Sequence, residues 1–274
     1  MIEVLAAGPL ATVQDLGRPG YQPLGVGRSG AADRSAHRLA NRLVGNLETA
    51  ATVEITLGGL SIRLLAPATV ALTGAPCPGG PAWNAPVSLP AGSRVSLAAP
   101  AAGLRSYLAV RGGFAVPAVL GSRSTDLLAG LGPLALAAGV RLPVGAEVAG
   151  EPAGEPAAPR PVRSGPVRVL PGPRQHWLDD PAELYGQVWT VRPDSNRIGI
   201  RLAGRPVRRR AGELPTEPTL PGAIQLPPDG LPIILFRDGP VTGGYPVVGV
   251  LAEAELDRIG QLRPGDAVRL SSLS

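Results

Sequence analysis

A chain of 274 residues is long enough to bury two cores of ordinary size, and its 37 Gly and 32 Pro are too many for a helical bundle while 44% hydrophobic residues are too many for a disordered chain. With 3% aromatic residues, the core has to be built from Val, Leu, Ile and Ala on many short strands. The net charge is +5, yet all 26 basic residues are Arg, and the absence of lysine excludes a Schiff-base lysine, a Walker A lysine and a biotinyl-lysine on this chain.

Arginines spread between acidic residues, away from stacking aromatics, also argue against nucleic-acid binding. Only Arg205 with Arg208, Arg209 and Arg210 forms a dense run, read as a solvated turn or a contact for an acidic partner. One cysteine, Cys77, cannot make a disulfide within the chain, and no signal-like or membrane-spanning segment is evident, so a cytoplasmic protein is expected.

In chain order, Ile2 to Ala6 reads as a short strand leading into Thr12 to Asn46, the stretch around which the rest is organised. Gln14, Asp15 and Arg18 stand there on a loop punctuated by glycine and stiffened by Pro19 and Pro23. A helix begins near Asp33, with Ser29 or Asp33 as its cap and Gly45 and Asn46 closing it. Ala36, Leu39, Ala40, Leu43 and Val44 form its apolar face, leaving Arg34, Arg38, Asn41 and Arg42 off that face and His37 among the solvated side chains. The polar loop entering the helix N-terminus can present N–H donors to a carboxylate or phosphate, or its groups can satisfy one another.

Val53 to Leu57, Ser61 to Leu65 and Thr69 to Leu72 follow as strands of a meander. Glu54 is read first as facing solvent or pairing with an arginine, and second as aimed back at the loop. Val87 to Leu89, Val95 to Ala98 and Arg105 to Val110 are further strands, the last running into Arg111-Gly112-Gly113. Gly121 to Asp126 gathers Ser122, Ser124, Thr125 and Asp126 around Arg123, a set able to bind an anion or cap a short helix. Glu147 to Gly165 is rich in Pro, Ala, Gly and Glu and has no periodic apolar face, so it marks a boundary: residues 1–150 form one domain, 151–165 a linker and 166–274 a second domain.

The second half reads as strands at Val167 to Leu170, Val188 to Val191, Ile200 to Leu202 and Ile233 to Phe236, with short helices at Pro181 to Tyr185 and Glu253 to Ile259. With two histidines in the chain a His-based metal site is not expected, and His176 beside Trp177 reads as structural rather than as a base. Gly243-Gly244 before Tyr245 is either bare backbone approaching a ligand, with the ring as one wall, or a β-bulge with a packed Tyr.

Ordered blocks carry a resemblance that no single motif would. In the first half they are T-V-Q-D-L-G-R-P-G-Y from Thr12, S-G-A-x-D-R from Ser29, A-N-R-L-V-G-N from Ala40, E-I-T-L-G-G from Glu54, A-L-T-G-A from Ala71 and L-G-S-R-S-T from Leu120. In the second half they are S-x-R-x-G from Ser195, G-A-I-Q-x-P from Gly222 and T-G-G-Y-P from Thr242. Together they resemble the family of bacterial 5-oxoprolinase C-components, also described as biotin-dependent carboxyltransferase-like or allophanate hydrolase subunit 2. That family includes the regulator KipA and one half of the carboxyltransferase region of urea carboxylase.

The resemblance implies a mainly β chain of two cyclophilin-like β-barrel domains with a few short helices. It further implies a hetero-oligomer with a KipI-like B-component and a LamB/YcsF-like A-component that uses ATP with Mg2+ to open 5-oxo-L-proline to L-glutamate. By the same resemblance Asp15, Arg18, Arg197 and Tyr245 are the expected catalytic residues, with Arg18, Arg123 and Arg197 touching anions. Gln14, Asn41, Ser122, Arg123, Ser124, Gln225, Thr242, Gly243 and Gly244 are the expected substrate contacts. The chain departs from the family around T-G-G-Y-P: Pro240-Val241 precede it where Gln-Thr is frequent, and Val247 follows where Lys is frequent. Two other functions fit the resemblance, the carboxyltransferase part of a urea carboxylase-like enzyme and a KipA-like regulator that antagonises a kinase inhibitor.

Overall fold

The computed structural model describes residues 1–158 and 165–273. Mainly β, they divide into two compact units, one made of residues 1–18, 29–126 and 130–158, the other of residues 19–28, 127–129 and 165–273.

The first unit contains β1 (Ile2–Ala7), β2 (Leu10–Gln14), helix α1 (Arg34–Leu43), β3 (Thr52–Thr56), β4 (Leu60–Leu64), β5 (Ala68–Gly74), β6 (Pro86–Leu89), β7 (Arg94–Ser96), β8 (Arg105–Val110) and β9 (Arg141–Leu142). They form a four-stranded sheet in the order β7-β4-β1-β9 and a five-stranded sheet in the order β2-β3-β8-β5-β6. Alternation along each strand sends Ile2, Val4, Ile62 and Leu64 of the first sheet against Val13, Val53, Ile55, Leu72, Leu108 and Val110 of the second. Each such side chain contributes about 1.5–3 kcal/mol when fully buried. The other face of the five-stranded sheet carries Ala71, Tyr107 and Ala109, and α1 packs on it through Ala36, Ala40 and Leu43.

Helix α1 begins where its cap signals put it: the Asp33 side chain accepts the Ala36 N–H at 2.9 Å. His37 corrects the expectation of a solvated side chain. It is fully buried with Asn41, because the stripe facing the sheet runs through both of them as well as through Ala36 and Ala40. The stretch read as the start of a linker is partly fixed to this unit, since Ala153 N–H donates to Leu43 O at 2.9 Å and Ala157 N–H to Asn84 O at 2.8 Å. Residues 159–164 of that stretch lie outside the described residues.

The second unit contains β10 (Val167–Pro171), α2 (Ala182–Tyr185), β11 (Val188–Val191), β12 (Gly199–Ala203), β13 (Glu217–Pro218), β14 (Ala223–Gln225), β15 (Ile233–Leu235), β16 (Thr242–Gly243), β17 (Val247–Leu251), α3 (Glu253–Ile259) and β18 (Ala267–Ser272). Seven of these strands close a barrel in the order β10-β17-β14-β15-β12-β11-β18. The seam is a parallel pairing of β10 with β18, Val167 opposite Leu270. Val169, Trp189, Ile200, Leu202, Ile224, Ile234, Phe236, Val248 and Leu270 are buried, and Trp189 Nε1 donates to Leu184 O at 3.0 Å, so the buried indole leaves no unpaired polar atom. A separate two-stranded ribbon pairs β13 with β16, Glu217 opposite Gly243.

Candidate functional site

Period-two alternation places a row of polar side chains under α1. Thr12 stands opposite Glu54, Glu54 opposite Tyr107, and Tyr107 opposite Thr73, while Gln14 stands opposite Thr52. Glu54 is 1% exposed. Its Oε2 accepts the Ala32 N–H at 2.8 Å and the Tyr107 O–H at 2.7 Å, and its Oε1 lies 3.5 Å from Arg105 Nε. Tyr107 Oη in turn accepts the Asp33 N–H at 2.7 Å. Glu54 therefore does not face solvent; it pairs with an arginine, as its first reading allowed, and is also aimed back at the loop through the Ala32 N–H.

The N–H groups leading into α1 are taken by the protein itself: Ala31 donates to Asp15 O, Ala32 to Glu54, Asp33 to Tyr107 and Ala36 to Asp33. Of the two readings of the loop and helix, mutual satisfaction is the one the geometry favours, because the carboxylate favoured at a helix N-terminus is already present. Burial pushes the Tyr107 phenol well above its ordinary pKa, with the neighbouring Glu54 charge acting in the same direction. Burial also pushes His37 down to about 4. His37 Nε2 donates to Glu48 O at 3.0 Å, which makes Nδ1 the acceptor of the Thr52 hydroxyl at 2.9 Å.

Asp15 ties the loop to the 122–124 segment. Its Oδ1 accepts Gly17 N–H at 2.7 Å and the hydroxyls of Ser122 and Ser124 at 2.6 Å each, and its Oδ2 accepts the Arg123 N–H at 2.6 Å. Three donors converge on Oδ1 and one on Oδ2, an arrangement that fixes the loop against the 122–124 segment. Ser122 and Ser124, expected to touch substrate, spend their hydroxyls on this carboxylate. Arg18 is 1% exposed; its Nη2 donates to Ser124 O and its Nη1 lies 3.6 Å from Asp126 Oδ2.

Gln14 is fully buried and donates through Nε2 to Thr12 Oγ1 and Thr125 O at 3.0 Å each. Asn41 uses both ends of its amide internally, donating to Ala50 O at 2.8 Å and accepting from Asn46 Nδ2 at 3.0 Å, which corrects its assignment as a substrate contact. At Gly30 the backbone has φ +97° and an added Cβ would lie 2.8 Å from Gly17 N, so the loop closes on itself only with glycine there.

In the second unit Arg197 is buried and paired two-to-two with Asp238, Nε to Oδ2 and Nη2 to Oδ1 at 2.8 Å each. Its fork is spent on a carboxylate of the same unit, so the expected direct anion contact is corrected to a brace between the 197 and 238 loops. Gln225 behaves differently. It is 5% exposed, and its Nε2 has no hydrogen-bond partner among the described residues. A register shift between Ile224 and Gln225 opposite β17 turns this side chain out of the regular pleat. A Cβ at Gly243 would collide with Gln225 Nε2, so only glycine leaves that donor in place. Thr242, Gly244 and Tyr245 are exposed beside it, and Tyr245 is not the packed ring that a purely structural bulge would hold.

The structure thus brings Asp15, Arg18, Ser122, Arg123 and Ser124 into one network in the first unit. In the second it brings Gln225 to Gly243. The partnership of Glu54, Tyr107, Thr52 and His37 escapes a reading of the sequence; the available signal is polar residues at alternate positions of apolar strands.

Residues 24–272 match the family described as carboxyltransferase domain, subdomain A and B. The chain is 37% identical over 287 residues to the C-component of 5-oxoprolinase from Escherichia coli, covering 100% of this chain and 92% of that protein. It is 32% identical over 288 residues to the 5-oxoprolinase C-component of Haemophilus influenzae, again covering 100% and 92%. Its fold superposes on the crystal structure of the K. lactis urea amidolyase with a TM-score of 0.92 at 32% identity, covering 100% of this chain and 19% of that one.

Proposed function

Because the chain belongs to the carboxyltransferase domain family, subdomain A and B, we propose that it is the C-component of an ATP-dependent 5-oxoprolinase, acting with a KipI-like B-component and a LamB/YcsF-like A-component. The observation that carries this reading is the 37% identity to a 5-oxoprolinase C-component across the whole of this chain.

The geometry supports a role for the second unit in holding a carbonyl. A buried amide donor without a partner is costly by about 1–3 kcal/mol unless a ligand completes it, and a lactam carbonyl supplies the missing acceptor. As the ring carbonyl is activated, negative charge grows on its oxygen, and the Gln225 N–H is fixed in advance to stabilise it. Gly243 and Gly244 let the ring approach the backbone, and Tyr245 forms the rim. Asp15 and the Arg197–Asp238 pair act by holding loops in place.

ATP with Mg2+ drives ring opening that is otherwise unfavourable, but the start of α1 does not fit the phosphates of a nucleotide. There is no lysine, and the N–H groups at the start of α1 are already bound by Asp15, Glu54, Tyr107 and Asp33. ATP therefore enters the proposal as a property of the complex.

The second reading is the carboxyltransferase part of a urea carboxylase-like enzyme, favoured by the likeness to the K. lactis urea amidolyase. It would require a separate biotin carrier, since this chain has no lysine to bear one. Mixing the chain with the KipI-like and LamB/YcsF-like components of the same source and following 5-oxoproline-dependent ATP hydrolysis and glutamate formation separates the two. Glutamate formed only with all three components supports the first reading. A confirmed complex that turns over neither 5-oxoproline nor ATP sinks it, and assays with carboxybiotin and for kinase regulation then take over.

A further inference from the structure

The first unit holds a pocket that none of these roles uses. Its volume is about 190 Å³, room for about six waters at roughly 30 Å³ each. Thr49, Ala51, Gly113, Phe114, Arg123 and Glu147 are among its walls. Arg123 is presented from a fixed base, with its N–H on Asp15 Oδ2 at 2.6 Å and its Nε on Val116 O at 2.8 Å. Nη1 and Nη2 make no hydrogen bond or ion pair among the described residues, which leaves the end-on edge of the guanidinium for the two oxygens of a carboxylate. Glu147 lines the same pocket, is exposed, and likewise has no ion pair among the described residues. The backbone there is closely packed, for a Cβ on Gly145 would lie 2.6 Å from Gly112 O.

One charge of each sign on a small pocket selects a ligand that carries both. We propose that this pocket binds a free α-amino acid, with its carboxylate on the Arg123 fork and its ammonium group towards Glu147. A simple carboxylate leaves Glu147 unused, and a simple amine meets Arg123 as a like charge. Asp15 is the positioning residue of this site, because it fixes the backbone from which Arg123 projects.

Calorimetric titration of the full chain, without partners or nucleotide, tests this with L-alanine, L-leucine, acetate and ethylammonium as probes. Saturable binding of at least one amino acid, with acetate and ethylammonium at least tenfold weaker, is expected. Arg123→Gln and Glu147→Gln should each weaken that binding at least tenfold, and Ala146→Trp, an exposed substitution on the pocket wall, should abolish it. Should Arg123→Gln unfold the chain, the other two variants decide. Absence of binding by every probe, acetate binding as tightly as the amino acids, or amino-acid binding untouched by Glu147→Gln and Ala146→Trp overturns the proposal. Since neither turnover nor the Gln225 region enters this measurement, its failure is distinct from failure of the oxoprolinase reading.

Discussion

Two polar clusters in this protein differ in one respect. Around Glu54 and Asp15 in the first unit the carboxylates are fully engaged: one closes a helix start, a second ties a loop, and a neutral histidine bridges a hydroxyl and a carbonyl, while Gln14 Oε1 and Arg18 Nε keep no hydrogen-bond partner among the described residues. Around Gln225 in the second unit, a buried donor stands without an acceptor beside glycine backbone and an exposed tyrosine. The first arrangement is a scaffold, because a ligand would have to displace bonds already made. The second is a place where a ligand completes a bond the fold leaves open. Mutation should therefore damage stability in the first cluster and turnover in the second.

The largest expected effect is that of Glu54→Ala. It removes the acceptor of the Ala32 N–H and of the Tyr107 hydroxyl and the carboxylate beside Arg105, and should cost about 3–5 kcal/mol in urea denaturation. A loss under about 1 kcal/mol would mean that water replaces the carboxylate and that the site is open after all.

His37 gives the next effect, through pH. Its folded pKa of about 4 lies below the ordinary 6.5, so below pH 6.5 the unfolded chain takes up a proton that the folded chain refuses. Stability from the neutral ring is complete above pH 6.5 and is lost as pH falls towards 4, by about 3 kcal/mol in total. His37→Gln should flatten that part of the stability profile, and an unchanged slope would assign it to another group.

Asp15→Asn should cost about 1.5–3 kcal/mol, the range for hydrogen bonds to a charged group, by weakening its hold on Ser122, Arg123 and Ser124. Gln225→Leu should break the pattern in the other direction. Stability should change by less than about 1 kcal/mol, since an unpaired donor is removed, while glutamate formation by the full complex falls by about tenfold or more. Equal losses of stability and turnover would reduce Gln225 to a core residue. The smallest effect belongs to the pair that exposed Arg208 makes with partly buried Glu183, where Arg208→Ala should leave the denaturation midpoint nearly unmoved.

Local signals explain what is legible in the sequence. Asp33 as a cap, Gly45 after the helix, and the Arg105–Val110 strand depend on neighbours in sequence, and the structure has them nearly as expected. His37, Asn41 and the burial of Glu54 depart from expectation because their surroundings come from strand register and helix docking, which bring residues 12, 54, 107 and 73 into one row. β2 reads partly as loop because Thr12 and Gln14 look polar, although they face the underside of α1. The interleaving of residues 19–28 and 127–129 with the second unit leaves no mark on composition. In the candidate site, Gln225 and Gly243 stand out in the sequence, but the close approach of Gly243 to the Gln225 Nε2 depends on tertiary packing that local sequence does not mark.

The parallel seam of the barrel bears on how the protein is made. β10 and β18 lie side by side although almost a hundred residues separate them, so the ring cannot close until Ala267–Ser272 has left the ribosome. Closing a loop of that length costs roughly 4 kcal/mol in chain entropy, recovered only once the last strand docks. Until then β10 and β11 each expose an unpaired edge to whatever chain is nearby. A nascent second unit is thus most prone to aggregate just before synthesis of its final strand, and the most damaging truncations should be those that remove only that strand.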